Sequence, residues 1–385
     1  MNSRQRLAIA LDHKEPDRVP CDLGGTVLSG ISHDLYGRLR AHLGLPTIEV
    51  RIADVVQQIA VVDDDVRDFF HVDVRDVAPR SSASFNIGIQ DDMPGYTYFH
   101  DEWGIGWKMP KVGGFYYDMF HHPLKGDIST GDIDRYPWPD PADPARFHGL
   151  RERARHAAEV EGQGVIIGGL CAGIMEMVAW LRGFEDYYLD FAGSTKLLEH
   201  FLDKLVELKM AYWERALAEG GEYISAIVEA DDMAGQNGML ISPRAYREIV
   251  KPRHKKLFDF IKARTRAKIF FHSCGAVRKV IPDLIEAGID ILNPVQVSAA
   301  GMDSAELKRE YGADLTFWGG AVDPQNVLGS GSVQDVKDDA RRRIDDLAPG
   351  GGFVFAPVHN IQSNVPPENV VAMWETLREH GTYKP

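Results

Sequence analysis

The sequence predicts an α/β fold, a (β/α)8 (TIM) barrel with an N-terminal helical extension and an inserted β-hairpin region. Three observations carry that expectation. From about residue 165, short apolar runs alternate with longer helical patterns, six times in series, which a parallel α/β fold explains and a bundle or sandwich does not. The apolar runs are unbroken rather than alternating, as parallel strands buried on both faces require. Two further runs upstream bring the count to eight, the number that closes a barrel. A doubly wound sheet is the alternative.

Taken in order, Arg4 to Leu11 reads as an opening helix rather than a signal peptide, because acidic residues and Pro16 follow it at once. RVPCDLGG (18–25) and VDVRDVAP (72–79) are the two upstream strands. Residues 84–125 break the pattern: they are rich in aromatics and glycine, with turn dipeptides at Pro94-Gly95 and Gly113-Gly114. They predict a β-rich insertion within a single domain spanning 1–385. VIIGG (165–169) then leads into a long helical region, and YISAIVEA (223–230) into a helix begun by Ser242-Pro243. KIFFH (268–272) precedes VRKVIPDLIEAG, where Val280, Leu284, Ile285 and Ile289 recur at helical spacing. DILNPV (290–295), LTFWGG (315–320) and FVFAPV (353–358) are each followed by a further helical pattern.

With 44% hydrophobic and 26% charged residues, the 385-residue chain can bury a large core. A formal charge of −14 leaves no basic excess to neutralise phosphates, which excludes nucleic acid and anionic membranes as expected partners. No apolar run approaches the ~18 residues of a membrane span. The three cysteines, Cys21, Cys171 and Cys274, are odd in number and far apart. No disulfide framework is expected, and a reducing cytoplasm is. A homodimer is compatible with all of this.

In such a barrel the functional groups stand at the C-terminal ends of the strands. Every predicted strand ends in something polar: Asp22; Asp76; Cys171; Glu229, Asp231 and Asp232; His272 and Cys274; Asn293 and Gln296; Asp323 and Gln325; His359, Asn360 and Gln362. His272 and Cys274 are the sharpest pair. At i and i+2 on an extended chain both side chains face one way, and Gly275 lets the backbone turn off. Thiolate and neutral imidazole are preferred zinc ligands, and a catalytic zinc keeps three protein ligands and one open position. His359, after the last strand, is the first candidate for the third ligand, with Cys171 and Glu229 as alternatives. A satisfied core histidine beside a buried thiol explains the pair equally simply, and a metal-free cysteine nucleophile with a histidine base is a further option.

The acidic run 229-EADD-232 admits proton transfer, substrate binding or loop capping. Asp76, Asp231 and Asp232 are the candidate catalytic carboxylates, and Asn293, Gln296, Gln325 and Asn360 the candidate substrate-binding amides. Asp76 could instead partner Arg75 or Arg80. Tyr96, Tyr98, Trp103 and Trp107 of the insertion would more often be packing, but could form a rim sheltering a planar partner.

DDMAGQNGMLISPRAYREIVKPRHKKL, FFHSCGAVRKVIPDLIEAGIDILNPVQ, FWGGAVDPQNVL and HNIQSNVPPENV together resemble the uroporphyrinogen decarboxylase superfamily, over nearly the whole chain. That superfamily holds a haem-pathway decarboxylase and zinc-dependent methyltransferases that work with corrinoid (cobalamin) proteins. The decarboxylase branch grips its substrate with arginines after the first strand; here no arginine lies between Val19 and His33. Its aspartate after the second strand corresponds to Asp76, and its late histidine to His359 without the flanking glycines. The methyltransferase branch has a His-x-Cys pair after the fifth strand, which 272-HSC-274 matches, and a cysteine as third zinc ligand, where His359 stands here. The resemblance therefore implies a Zn2+ site at His272, Cys274 and His359. It implies methyl transfer between a small thiol, or an aryl methyl ether or other methylated compound, and a corrinoid carried by a partner protein. A metal-free decarboxylase of a carboxylated substrate, and a non-catalytic barrel that only docks a corrinoid protein, are the rivals.

Overall fold

In the computed structural model, which describes residues 1–384, seven parallel strands form one curled sheet in strict sequence order. They are Val74–Asp76, Gly164–Gly168, Ala226–Ala230, Lys268–His272, Ile291–Asn293, Thr316–Trp318 and Phe353–Val354. Extended chain at residues 19–22 bridges the last strand back to the first. The Phe355 N–H donates to the Pro20 carbonyl and the Asp22 N–H to the Phe355 carbonyl, while the Asp73 N–H donates to the Cys21 carbonyl, all at 2.9 Å. Pro20 has no N–H to give, so this pairing is interrupted rather than a regular ladder. It fills the eighth position of a (β/α)8 barrel, as the strand count predicts.

The opening helix, Ser3–Leu11, is capped reciprocally by Asn2 and Gln5. It places Arg6 at the N-terminal end of the barrel, where Asp73, fully buried, accepts from Arg6 at 2.6 Å, from Arg18 at 2.7 Å and from the Cys21 N–H at 2.9 Å. One carboxylate thus ties the opening helix and the closing segment to the start of the strand Val74–Asp76.

Alternation along Lys268–His272 decides what its residues do. Phe271 packs outward on His254 and Phe258 of the helix Lys251–Lys262. Phe270 meets Trp318 at 5.3 Å, and Trp318 Nε1 donates to Asp22 at 2.9 Å. The barrel beneath His272 is therefore filled by side chains, as closed eight-stranded barrels are.

The 84–125 region contains a three-stranded antiparallel sheet, Tyr96–His100, Gly106–Pro110 and Asp118–His121. Phe99 and Trp107, buried on one face of it, belong with Tyr117 to the same continuous core as the barrel strands. The expected aromatic rim does not form. Trp107 packs edge-on against Trp180 and Trp103 against Trp138. Tyr96 and Tyr98 alternate to the opposite face, among Lys108, His100 and Phe120. A short hairpin, Ile52–Asp54 with Ile59–Ala60, also exists that the sequence pattern did not predict; its strands are too short to show a period. Among the described residues no helix is long and apolar enough to cross a membrane.

Candidate metal centre

Strand Lys268–His272 carries His272 to the C-terminal end of the barrel, and the chain turns immediately after Cys274. The turn needs Gly275: its φ is +86°, and a Cβ there would lie 2.5 Å from the Ala234 carbonyl oxygen. The last strand, Phe353–Val354, delivers His359 to the same place from the other side. Ligand atoms of His272, Cys274 and His359 all lie within 4.8 Å of one another. His272 Nε2 stands 3.4 Å from Cys274 Sγ, close to the roughly 3.5 Å edge of a tetrahedron built from zinc–nitrogen and zinc–sulfur bonds.

The proton positions follow from the neighbours. Asn293 donates through Nδ2 to the Trp318 carbonyl at 2.8 Å, which fixes the amide. Its Oδ1 then accepts from His272 Nδ1 at 2.6 Å. Nδ1 therefore carries the ring proton, and the Nε2 lone pair faces Cys274. His359 is pushed down to about 4, chiefly by burial and then by the neighbouring His272 ring. The His359 imidazole is thus available as a neutral ligand at pH 7, and His272 presents its Nε2 to the same point. The Cys274 thiol is pushed far up by burial and by Asp232 and Glu176, so only a nearby cation would hold it as the thiolate that binds metal. Two converging imidazoles, one of them held by an amide, and a thiol in need of positive charge fit zinc.

The other expected residues separate by position. Asp232 belongs to the centre: its Oδ1 accepts the Cys274 N–H at 2.7 Å and lies 3.7 Å from His272 Nε2. Of the two asparagines expected to bind substrate, Asn293 turns to His272, while Asn360 accepts from Tyr116 and donates to Gln57, both at 2.7 Å. Gln296 accepts the Gly275 N–H at 2.7 Å and donates to Gln236 at 2.8 Å, and Gln236 in turn bonds Gln325 at 3.1 Å. This chain of amides lies at the edge of the centre.

Asp231 does not face the mouth. It is fully buried, accepts the Met175 and Glu176 N–H groups at the start of the helix Ile174–Arg182, and meets His254 Nε2 at 2.8 Å. It anchors a helix end. Asp76 lines a separate cavity of about 350 Å³ with Thr26, Arg51 and Arg67, and burial raises its carboxyl to about 7 despite Arg67. The alternative pairing with Arg75 is absent, since Arg75 reaches Asp64 and Glu161.

Of the alternative third ligands, Glu229 is committed elsewhere: it takes Lys209 Nζ at 2.8 Å and Trp213 Nε1 at 2.6 Å, all three side chains buried against the long helix Thr195–Gly220. Cys171 lies outside the converging group, with its thiol raised by burial.

Glu176 was not found from sequence. Its carboxyl accepts the Gly173 N–H at 3.2 Å, and burial next to Asp232 and Asp231 raises it to about 8. The Gly173-x-x-Glu176 spacing marks a helix start, but nothing in the sequence ties it to Asp232.

The profile of the uroporphyrinogen decarboxylase (URO-D) family matches residues 119–380, about two thirds of the chain. The chain belongs to the uroporphyrinogen decarboxylase family. Curated relatives include a uroporphyrinogen decarboxylase of Alkalilimnicola ehrlichii, 24% identical over 72% of this chain and 73% of its own length. Another, of Thioalkalivibrio sulfidiphilus, is 26% identical over 48% of this chain and 49% of its own. Among solved structures, a methyltransferase from Methanosarcina mazei shares the fold with a TM-score of 0.66 at 18% identity, covering 98% of this chain and 99% of that one. Members of the family thus include decarboxylases, and the fold alone is shared with a methyltransferase.

Proposed function

We propose that this member of the family is a zinc-dependent methyltransferase. It moves a methyl group between a small substrate (a thiol, or an aryl methyl ether or other methylated compound) and a corrinoid carried by a separate protein. The observation that carries the reading is the convergence of His272, Cys274 and His359, with the His272 ring held by Asn293. Bound zinc would supply Lewis acidity to the substrate's sulfur or oxygen, favouring a thiolate or stabilising a leaving group. Asp232 holds the Cys274 backbone in place. Glu176, raised to about 8, keeps a proton at neutral pH beside Asp232 and can exchange it with a substrate atom at the mouth. The Gln236–Gln296–Gln325 amides offer hydrogen bonds to the rest of the substrate. The free state of all three cysteines suits a reducing cytoplasm.

Two further points support the reading: the fold neighbour is a methyltransferase, and no arginine lies between Val19 and His33 to hold a polycarboxylate. The second reading is a metal-free decarboxylase, favoured by the names of the curated relatives and by Asp76 in its own cavity.

The two are separated by one assay on zinc-loaded protein, using free cobalamin in place of the corrinoid protein and panels of thiols and aryl methyl ethers. Methyl transfer that falls at least about a hundredfold in Cys274→Ala supports the methyltransferase. Release of carbon dioxide from a carboxylated substrate that survives both Cys274→Ala and a chelator would replace it with the decarboxylase.

A further inference from the structure

Six charged side chains line the cavity beside Asp76, and four of them pair off. Arg51 meets Asp63 at 2.9 Å and Arg75 meets Asp64 at 2.7 Å. Arg67 and Asp76 are left, and among the described residues neither makes an ion pair, with each other or with a third group. Arg67 is nevertheless held rigidly. Its Nε donates to the Val62 carbonyl at 3.0 Å, Nη1 to the Val74 carbonyl at 2.8 Å and Nη2 to the Gly24 carbonyl at 3.0 Å. A guanidinium has five N–H groups, so one on each terminal nitrogen remains unused. The three carbonyls orient the group but bring no negative charge.

We infer that this cavity binds a small monocarboxylate with an apolar body, its carboxylate held by the two remaining N–H groups of Arg67. A cation withdrawn from water without a counter-ion is costly, and here the cost is met at a cavity wall where a ligand can supply the missing charge. Guanidinium donors suit a carboxylate, and a group already fixed by three bonds loses little freedom when the ligand arrives. One unneutralised charge calls for one negative charge, since Asp63 and Asp64 are committed to their own arginines. Val27, Ala53 and Val61 contribute apolar wall, and about 350 Å³ is room for a ring-sized acid. Asp76 sharpens the expectation. Burial raises its carboxyl to about 7, against Arg67 and Arg153 and with Asp22 acting in the same sense as burial. Below that pH Asp76 is neutral and Arg67 is free to take a ligand; above it, the Asp76 carboxylate offsets the Arg67 charge and repels a second carboxylate. Such a site uses none of the metal ligands and is compatible with either reading above.

The test is calorimetric titration of the full chain at pH 6 with benzoate, and with benzamide as the neutral probe of the same shape. Benzoate is expected to bind about 10–100-fold more tightly than benzamide, the preference that charge-assisted hydrogen bonds confer, and Arg67→Gln to abolish that preference. Because Arg67 also ties three carbonyls together, Ala53→Glu is the second variant. It leaves those bonds intact, stands at an exposed position of the short hairpin, and adds a carboxylate at the cavity wall; benzoate affinity should fall about tenfold. Repeating the wild-type titration up to pH 8.5 should show benzoate affinity falling above about pH 7, by up to about tenfold per pH unit, and Asp76→Asn should remove that fall. Equal affinity for benzoate and benzamide, no benzoate binding at millimolar concentration, or full benzoate affinity retained in both Arg67→Gln and Ala53→Glu overturns the site. None of these outcomes bears on zinc at His272, Cys274 and His359.

Discussion

At His272 the imidazole is fixed from both sides. Asn293, itself locked by the Trp318 carbonyl, takes the Nδ1 proton, and Cys274 faces the other nitrogen. Asn293→Ala is therefore expected to weaken zinc binding by about 10–100-fold while leaving all three ligands in place, measurable by chelator competition. Asp76 makes a different prediction. Its carboxyl rises from 3.8 to about 7 on folding, so between those values the folded chain keeps a proton that the unfolded chain has released. The sign follows: this contribution to stability falls as pH rises through the window and is fully lost above about pH 7. Asp76→Asn removes the dependence. Urea unfolding should show the variant gaining on wild type between pH 5 and pH 8, by on the order of 2 kcal/mol; a gap that does not widen with pH contradicts the assignment. The pair at positions 272 and 274 could be read from sequence because i and i+2 on a strand share a face. The roles of Asn293, Asn360 and Glu176 could not, because each depends on a neighbour brought in from another strand or helix.

The strand Ala226–Ala230 and the long helix Thr195–Gly220 are joined by Lys209 and Glu229, an ion pair with both side chains buried and Trp213 completing the carboxylate's bonds. Removing one partner strands the other's charge, so Glu229→Ala should cost about 3–5 kcal/mol in denaturant unfolding. Zinc content should not change in the folded variant, which separates this structural role from that of a ligand. Alternation explains why Glu229 and Asp231 were misplaced by sequence alone. A run such as EADD at a strand end shows which residues are charged, but not whether the helix packed outside will supply a Lys209 or a His254 to meet them. The insertion illustrates the same limit. Its β character was legible in its turn dipeptides and aromatics, whereas the side of the sheet on which Trp107 or Tyr98 lands depends on register.

Over the whole molecule, barrel closure was the most legible feature, because six serial units and two upstream runs leave few other topologies. Less legible was how the closing segment is held. Residues 19–22 pair only in part, and Asp73 compensates by binding Arg6, Arg18 and the Cys21 N–H at once. Asp73→Ala leaves two arginines without their shared buried carboxylate. It is expected to destabilise the chain by about 3–5 kcal/mol, read as a shifted urea midpoint at unchanged slope. Closure matters to the centre because the last strand, which carries His359, is bounded by that segment. The central claim, that this closed barrel holds zinc on His272, Cys274 and His359, is tested most directly by metal analysis of the purified protein with X-ray absorption at the zinc edge. The account predicts about one zinc per chain with one sulfur and two imidazole donors, lost in Cys274→Ala and in His359→Ala; zinc absent from wild type, or retained in full by both variants, would contradict it.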